Sequence, residues 1–215
     1  MKNNEKGRSM IEMLGVLAII AVLSVVGFYG FSQALEKWRV DKTVDQIMRM
    51  VVRLQTTFVA QINYSSLGYS IGEINNVLAN TGVVSNDMFV RDNHGAIKTP
   101  YTYKNVFKGN INVRVGNKYN SRDRGAFIIR FDSIPRQACI TLASYAWGKS
   151  ADSGYIAIAV NQAITDEVNY NSCKSTPPTQ EKRALQCYKD GVMLKEAAVR
   201  ACRYERHNAL EFMFY

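Results

Sequence analysis

Hydrophobic residues are unevenly distributed along the chain, and the longest apolar run comes near its start. No charged residue occurs from Met13 to Leu35. Folded as an α-helix, this segment would be about 35 Å long, which is enough to cross a bilayer core of roughly 30 Å. The pattern therefore predicts a membrane-spanning helix near the amino terminus.

A second hydrophobic pattern follows and has the period of an amphipathic helix. Its apolar positions are separated by alternating steps of four and three residues: Val40, Val44, Ile47, Val51, Leu54 and Phe58. Polar and charged residues occupy the opposite side, and no proline interrupts residues 8–64. We predict one long helix over 8–62, with 8–35 in the membrane and 36–62 packed on a globular head, residues 63–215.

The head shows signals for short helices and short strands. In chain order we predict a helix at 72–80, strands at 111–115 and 126–131, a helix at 133–148, a strand at 155–160, helices at 178–189 and 193–202, and a last strand at 209–215. The strand at 155–160 is almost wholly apolar, which favours a position inside the sheet. The last strand has Leu210, Phe212 and Phe214 on one face. This order of elements predicts an α+β fold with a small, mainly antiparallel sheet.

The residues that flank the apolar run limit the functions that this segment can serve. Lys2, Lys6 and Arg8 precede it, so the positive-inside rule places the amino terminus in the cytoplasm and the head outside. A cleaved secretory signal is disfavoured because the apolar cores of such signals usually have about 7–15 residues. A plain single-pass anchor fits the run but has no need for Glu12 at its edge. A carboxylate at an apolar boundary costs free energy unless it finds a partner, which indicates a function.

The stretch GRSMIEMLGVLAIIAVLSVVG closely resembles the leaders of type IV prepilins. The resemblance implies that a prepilin peptidase cuts after Gly7, removes residues 1–7 and leaves Arg8 as the first residue. It also implies that Glu12 pairs with the terminal amine of a neighbouring subunit and sets the axial register of a filament. Arg8 departs from the apolar, N-methylated residue that is usual at this position, and it admits a local pair with Glu12 at i,i+4 spacing.

For the whole chain, the resemblance implies a structural subunit of a type IV pilus, with a type IV pilin-like fold closest to type IVb and thin-pilus pilins. Its partners would be copies of itself and other pilins, the prepilin peptidase, and an inner-membrane assembly platform driven by an ATPase. The subunit would lie in the bacterial inner membrane before assembly and in a surface filament afterwards. Two alternatives are a pseudopilin of a type II secretion system and a membrane-anchored extracytoplasmic binding domain.

All four cysteines lie after residue 138, in the part predicted to be outside the cytoplasm. An even number of cysteines in an exported domain indicates disulfides. The nested pairing joins Cys139 to Cys202 and Cys173 to Cys187. The sequential pairing joins Cys139 to Cys173 and Cys187 to Cys202. We favour the nested pairing, in which the inner bridge staples the Pro177–Pro178 excursion and the outer bridge ties the helix at 133–148 to the approach of the last strand; the sequential pairing stays open as the alternative.

The remaining composition disfavours an enzyme. No nucleophile-elbow, zinc-protease, Walker or dinucleotide-binding motif occurs in the sequence. The chain has two histidines, His94 and His207, which leaves little material for general-base catalysis. There is no C-x-x-C motif, and His207, shortly after Cys202, is the one histidine near a cysteine. We therefore predict no catalytic activity, no cofactor and no metal.

The net charge of +9 is the feature that could add a binding function. Basic residues gather around the first two predicted strands, with tyrosines nearby: Arg114, Lys118, Arg122, Arg124 and Arg130, with Tyr101, Tyr103 and Tyr119. Basic and aromatic residues together can bind single-stranded nucleic acid. Because no nucleic-acid motif is present and acidic residues are interspersed, a solvated basic surface is the simpler interpretation.

Overall fold

Helix α1 opens the structure and runs from Met10 to Phe58. The structure is a computed structural model that describes residues 10–120, 122–148, 153–165, 168, 170–171, 173–176 and 183–215. It divides into two units, residues 1–39 and 40–215, so α1 begins in the first unit and ends in the second. Every residue from Met10 to Leu35 is exposed. The described part of the chain therefore leaves this apolar surface uncovered, which marks it for contact with a membrane or another protein.

The second half of α1 buries the apolar stripe that the sequence predicted. Its stripe residues are buried, apart from one that is half-buried: Val40, Ile47, Val51, Leu54 and Phe58, with Val44 at the margin. The helix ends at Phe58, whose carbonyl accepts a hydrogen bond from Gln61 N–H at 2.9 Å in a turn. The pattern predicted an end near residue 62. The helix stops earlier where the core ends, because Val59 and Ile62 are both exposed.

Six strands form one sheet within the described residues. They are β1 (Tyr103–Lys104), β2 (Asn110–Gly116), β3 (Ala126–Ile134), β4 (Tyr155–Val160), β5 (Ala184–Cys187) and β6 (Asn208–Phe214). Their order in space is β1-β2-β3-β6-β4-β5, and every neighbouring pair is antiparallel. The same part of the chain adds the helices α2 (Ile71–Asn80), α3 (Arg136–Ala143) and α4 (Lys195–Ala201). The predicted α+β class is confirmed.

The last strand, β6, lies inside the sheet between β3 and β4. Its Phe212 pairs with Ile129 of β3 and with Ile158 of β4. Leu210, Phe212 and Phe214 belong to the buried cluster that also contains the stripe of α1. The prediction that these three residues share one face of the strand is therefore correct, and the apolar strand β4 is also internal, as predicted.

The opposite side of the sheet has a smaller core. Ile128, Ile156 and Met213 point to this side and pack with Ile164 and Cys173. Ile164 and Cys173 come from the segment that follows β4, so this segment covers part of the sheet. We call this side the outer face and the side that packs against α1 the inner face.

Two predicted helices differ from the structure. Residues 184–187 fell within a helix predicted at 178–189, but they form β5 and pair with β4, and residues 177–182 lie outside the described residues. Three of the four β5 residues are buried, which a strand position explains. The helix predicted at 133–148 is the shorter α3. It begins late because β3 continues to Ile134, which pairs with Asn208, and Pro135 then occupies the position just before the first helical residue.

Candidate functional site

Glu12 lies in the first turn of α1 and its side chain is exposed. It is the only charged residue in the sequence between Met10 and Leu35. A carboxylate in the first turn is favoured by the partial positive charge at the amino end of the helix. Gly7 and Arg8, the predicted cleavage residues, lie outside the described residues.

The helix that carries Glu12 is long and apolar enough to cross a membrane. Its most apolar window has a mean hydropathy of 2.5, and none of that window is buried by the rest of the structure. An apolar helix in the core of a soluble protein would instead be covered by the rest of the fold. The uncovered surface and the single carboxylate at its amino end together form the first candidate functional site, which we call the apolar segment, residues 10–35.

The four cysteines form the nested pair of disulfides. Cys139 of α3 is bonded to Cys202, which directly follows α4, and both residues are fully buried. Cys173 is bonded to Cys187 at the end of β5 and tethers the segment that covers the outer face. The sequential pairing is therefore wrong. The disulfide between Cys139 and Cys202 holds the two short helices together within the core on the inner face.

A buried carboxylate on the outer face was missed by the sequence reasoning. The Glu211 side chain of β6 is only 2% exposed. Its oxygens accept hydrogen bonds from Arg114 Nη2 at 2.8 Å, Arg130 Nη1 at 3.1 Å and the backbone N–H of Ile164 at 2.7 Å. Arg130 also donates to Asp132 at 2.8 Å. Burial lowers the pKa of Arg130, but these carboxylates outweigh it, so its pKa is raised. Glu211 is a charged residue within the apolar run ALEFMFY, and this was the sequence signal that could have revealed the cluster.

The predicted basic and aromatic residues do not form one cluster. Arg114 and Arg130 bind Glu211, while Tyr103 is buried and donates its hydroxyl proton to the carbonyl of Asn75 at 2.6 Å. Tyr101 packs edge-on against Phe89, with 5.9 Å between ring centroids. These residues serve the stability of the head.

The other basic residues of that set lie at the carboxyl end of α1, around the loop that precedes β3. Lys118 Nζ is 3.4 Å from the ring centroid of Tyr215 and 4.9 Å from that of Tyr119. The guanidinium of Arg124 stacks 4.0 Å from the ring centroid of Tyr69 and donates to the Gly68 carbonyl at 3.1 Å. The structure therefore brings three cation–π contacts to one end of the head.

Asp123 organises the loop that carries these cations. Its carboxylate accepts backbone N–H bonds from Lys118 at 2.7 Å, Asn120 at 3.1 Å and Gly125 at 3.1 Å, and a further bond from Tyr119 N–H. Burial raises the pKa of Asp123, but the four N–H donors lower it by more, so the net shift is downward. The Asp123 charge is fully engaged within its own loop.

The two histidines do not take part in a metal site within the described structure. His94 and His207 are both exposed. Among the described residues, no three histidine, cysteine or acidic side chains are close enough together to hold a metal ion. All four cysteine sulfurs are engaged in disulfides.

Comparisons with known proteins identify the class to which this fold belongs. TcpA, a type IV pilin from Vibrio cholerae El Tor biotype, matches with a TM-score of 0.52 and 13% identity, over 83% of this chain and 99% of that chain. A type IVb pilin from Salmonella typhi matches with a TM-score of 0.45 and 17% identity, over 77% of this chain and 93% of that chain. Comparison with curated protein sequences gives no match. The long apolar helix and the antiparallel sheet are thus the fold of a type IV pilin.

The family follows from the sequence match. The family model described as PilS N terminal matches residues 39–191, which is well over half of the chain. The chain therefore belongs to the PilS family of type IV pilins. The predicted resemblance to type IV pilins is confirmed by this match and by the fold.

Proposed function

We propose that the protein is the prepilin form of a pilus subunit that is cut after Gly7 and assembles through the apolar segment. The observation that carries the proposal is the exposed apolar surface of residues 10–35 with one carboxylate, Glu12, in its first turn. The membership of the chain in a pilin family supports a structural role and not an enzymatic one. Before assembly this surface would be covered by the lipid bilayer, and afterwards by the same segment of neighbouring subunits.

The role proposed for Glu12 follows from its position. A carboxylate that enters an apolar bundle loses its hydration and requires an opposite charge. Cleavage after Gly7 would create a positive amine at Arg8, four residues before Glu12 in the sequence. Pairing between Glu12 of one subunit and this amine of the next would neutralise both charges and fix the axial offset between subunits.

The proposed partners follow from the same steps. A prepilin peptidase would act on the cytoplasmic side, where Lys2 and Lys6 hold the leader by the positive-inside rule. An assembly platform in the inner membrane, driven by an ATPase, would then move subunits from the bilayer into the filament. The head would be extracytoplasmic throughout, in keeping with its two disulfides.

The intact mass of the chain, expressed with and without a prepilin peptidase, tests the cleavage. We expect the peptidase to remove residues 1–7, and an additional methyl group would show that Arg8 is N-methylated. An uncut chain in the presence of the active peptidase would refute the prepilin mechanism. In that case a membrane-anchored binding domain would be the better account of the apolar segment.

Substitution of Glu12 tests the assembly step. We expect Glu12→Ala to be cleaved and inserted normally but to yield few or no filaments by electron microscopy. Glu36→Ala is the matched control, because Glu36 lies on the same helix just beyond the uncharged run. Equal filament yields from the two variants would refute the role of Glu12. A secretion defect in place of lost surface pili would assign the chain to the pseudopilins.

A further inference from the structure

Trp38 is a large aromatic side chain that lies mostly exposed on α1. It follows the end of the uncharged run at Leu35 by three residues, and 56% of it is exposed. The other tryptophan of the chain, Trp147, is 4% exposed and belongs to the core of the inner face. Trp38 belongs to neither of the two buried clusters of the described structure. An exposed ring of this size beside an apolar segment indicates a surface that another component covers.

Aromatic residues gather at one end of the apolar segment and just beyond it. No phenylalanine, tyrosine or tryptophan precedes Phe28 in the sequence, whereas Tyr29, Phe31 and Trp38 follow it closely. Tyrosine and tryptophan are enriched at membrane–water interfaces, where their rings lie at the level of the lipid headgroups. In the proposed orientation, with the amino terminus in the cytoplasm, the aromatic end of the helix is the one that faces away from the cytoplasm.

The polar side chains of the uncharged run show the same asymmetry. Ser24 is the one polar residue in 13–27, and its hydroxyl donates to the Ile20 carbonyl of its own helix at 2.7 Å. This hydroxyl therefore needs no water inside a bilayer. Ser32 and Gln33 lie near the other end of the run, together with the aromatic residues. The helix thus becomes more polar towards the end that carries Trp38, as expected where it leaves the hydrocarbon core.

The distance between Glu12 and Trp38 matches the thickness of a membrane. Both lie on α1, and at the rise of an α-helix their separation along its axis is about 39 Å. This distance exceeds the hydrocarbon core of about 30 Å and is less than the full bilayer thickness of about 40–45 Å. A tilt of about 20°, the average for membrane helices, shortens it to about 37 Å and leaves this relation unchanged. When Glu12 lies at one membrane–water interface, Trp38 therefore lies at the other.

We propose that Trp38 inserts into the headgroup layer of the outer leaflet and, with Glu12 at the inner interface, fixes the depth of the subunit in the bilayer before assembly. The inference rests on the proposed function, because it takes residues 10–35 as the membrane-spanning segment. The uncharged run is about 35 Å long, so it could slide by about 5 Å in a core of about 30 Å without burying a charge. Hydrophobic length alone therefore does not set the depth of the helix, whereas an interfacial residue at each end does.

Quenching of tryptophan fluorescence by brominated lipids tests the location of Trp38 in the full chain. The protein is reconstituted into phosphatidylcholine vesicles whose acyl chains carry bromine either near the headgroup or near the terminal methyl group. Trp38→Tyr is the reference, because it keeps an interfacial ring and the signal of Trp147, and its emission is subtracted from that of the parent. We expect the Trp38 signal to be quenched more strongly by bromine near the headgroup than by bromine near the methyl group.

Val22 provides the matched control. It lies about 15 Å from Glu12 along the helix, near the middle of the hydrocarbon core, and its side chain is exposed, so that a larger ring fits there. We expect Val22→Trp, in the Trp38→Tyr background, to be quenched more strongly by bromine near the methyl group. The same reporter tests whether residue 38 holds the helix. In the Trp38→Ser background its preference for the deep bromine should weaken, because the outer end of the helix is no longer fixed.

Three results would overturn the inference while leaving the membrane-spanning segment intact. In the first, the Val22→Trp reporter is quenched but Trp38 is not, which would place Trp38 in water. In the second, Trp38 is quenched most by bromine near the methyl group, which would place it in the hydrocarbon core. In the third, the reporter behaves alike with Trp38→Ser and Trp38→Tyr, so that residue 38 does not hold the helix. Absence of quenching at both positions would instead refute the membrane-spanning segment, and with it the proposed function.

Discussion

The carboxylate of Glu211 ties three parts of the outer face together, and its replacement by an amide tests how much that cluster contributes to stability. Glu211→Gln keeps the size of the side chain and one acceptor oxygen, which can still receive the N–H of Ile164. It removes the negative charge that faces Arg114 and Arg130. One of the two arginines then faces the amide NH2 group, which donates hydrogen bonds and cannot accept one.

The expected loss in the free energy of unfolding depends on how deeply Glu211 and its two arginine partners are buried. A hydrogen bond to a charged group contributes about 1.5–3 kcal/mol, and breaking a fully buried ion pair costs about 3–5 kcal/mol. Glu211 is 2% exposed, but the side chains of Arg114 and Arg130 are 37% and 36% exposed and can turn towards water. We therefore expect a loss of about 2 kcal/mol, which lowers the melting temperature of a domain of this size by about 4–8 °C.

Thermal unfolding of the full chain in detergent, followed by circular dichroism, measures this loss. The matched control is Asp45→Asn, which also converts a carboxylate to an amide. Asp45 pairs with Arg49 at 2.7 Å, but the Asp45 side chain is 40% exposed against 2% for Glu211, so we expect a change below about 0.5 kcal/mol. If Glu211→Gln were no more destabilising than Asp45→Asn, the argument that burial gives the Glu211 cluster its strength would be wrong.

Two further predictions concern the loop before β3 and the disulfides. The pKa of Asp123 is lowered in the folded state, so its stabilising effect is complete above its ordinary pKa of 3.8 and is lost as the pH falls through the lower folded value. Urea unfolding should accordingly show Asp123→Asn less stable than the parent near pH 6, with the gap narrowing as the pH falls below 3.8; a constant gap would contradict this. Because Cys139 and Cys202 are separated by 63 residues and Cys173 and Cys187 by 14, serine replacement of the first pair should cost more in urea unfolding, about 4 against about 3 kcal/mol in the chain-entropy model. The opposite ranking would show that local strain or packing outweighs loop length.

The local patterns of the sequence predicted most elements because each depends on neighbouring residues. The stripe from Val40 to Phe58 is buried on one side of α1, and the alternation at Leu210, Phe212 and Phe214 places three side chains on one face of β6. The position of β6 between β3 and β4 could not be predicted, since pairing partners distant in the chain leave no periodic signal. Residues 184–187 were assigned to a helix for the same reason: their strand conformation depends on pairing with β4.

The site residues also divide into those that a local sequence signal reveals and those that only the tertiary structure reveals. Glu12 was identified because its charge interrupts an apolar run, a signal that lies wholly in the local sequence. The choice between two disulfide pairings required the tertiary structure, which brings the Cα atoms of Cys139 and Cys202 to 5.8 Å. Tyr103 was grouped with surface aromatics although it is buried, because a tyrosine in a short strand has the same local pattern in either setting.

The internal position of β6 has a consequence for the biogenesis of the head. Strands β3 and β4 do not pair with each other, so β1–β3 and β4–β5 are joined into one sheet only through residues 208–214. Chains are synthesised from the amino end, and these residues therefore emerge after every other strand. Until they pair, β3 and β4 would each have an unpaired edge that can pair with another chain. A chain that stops before Asn208 would keep both edges open, and open strand edges favour aggregation.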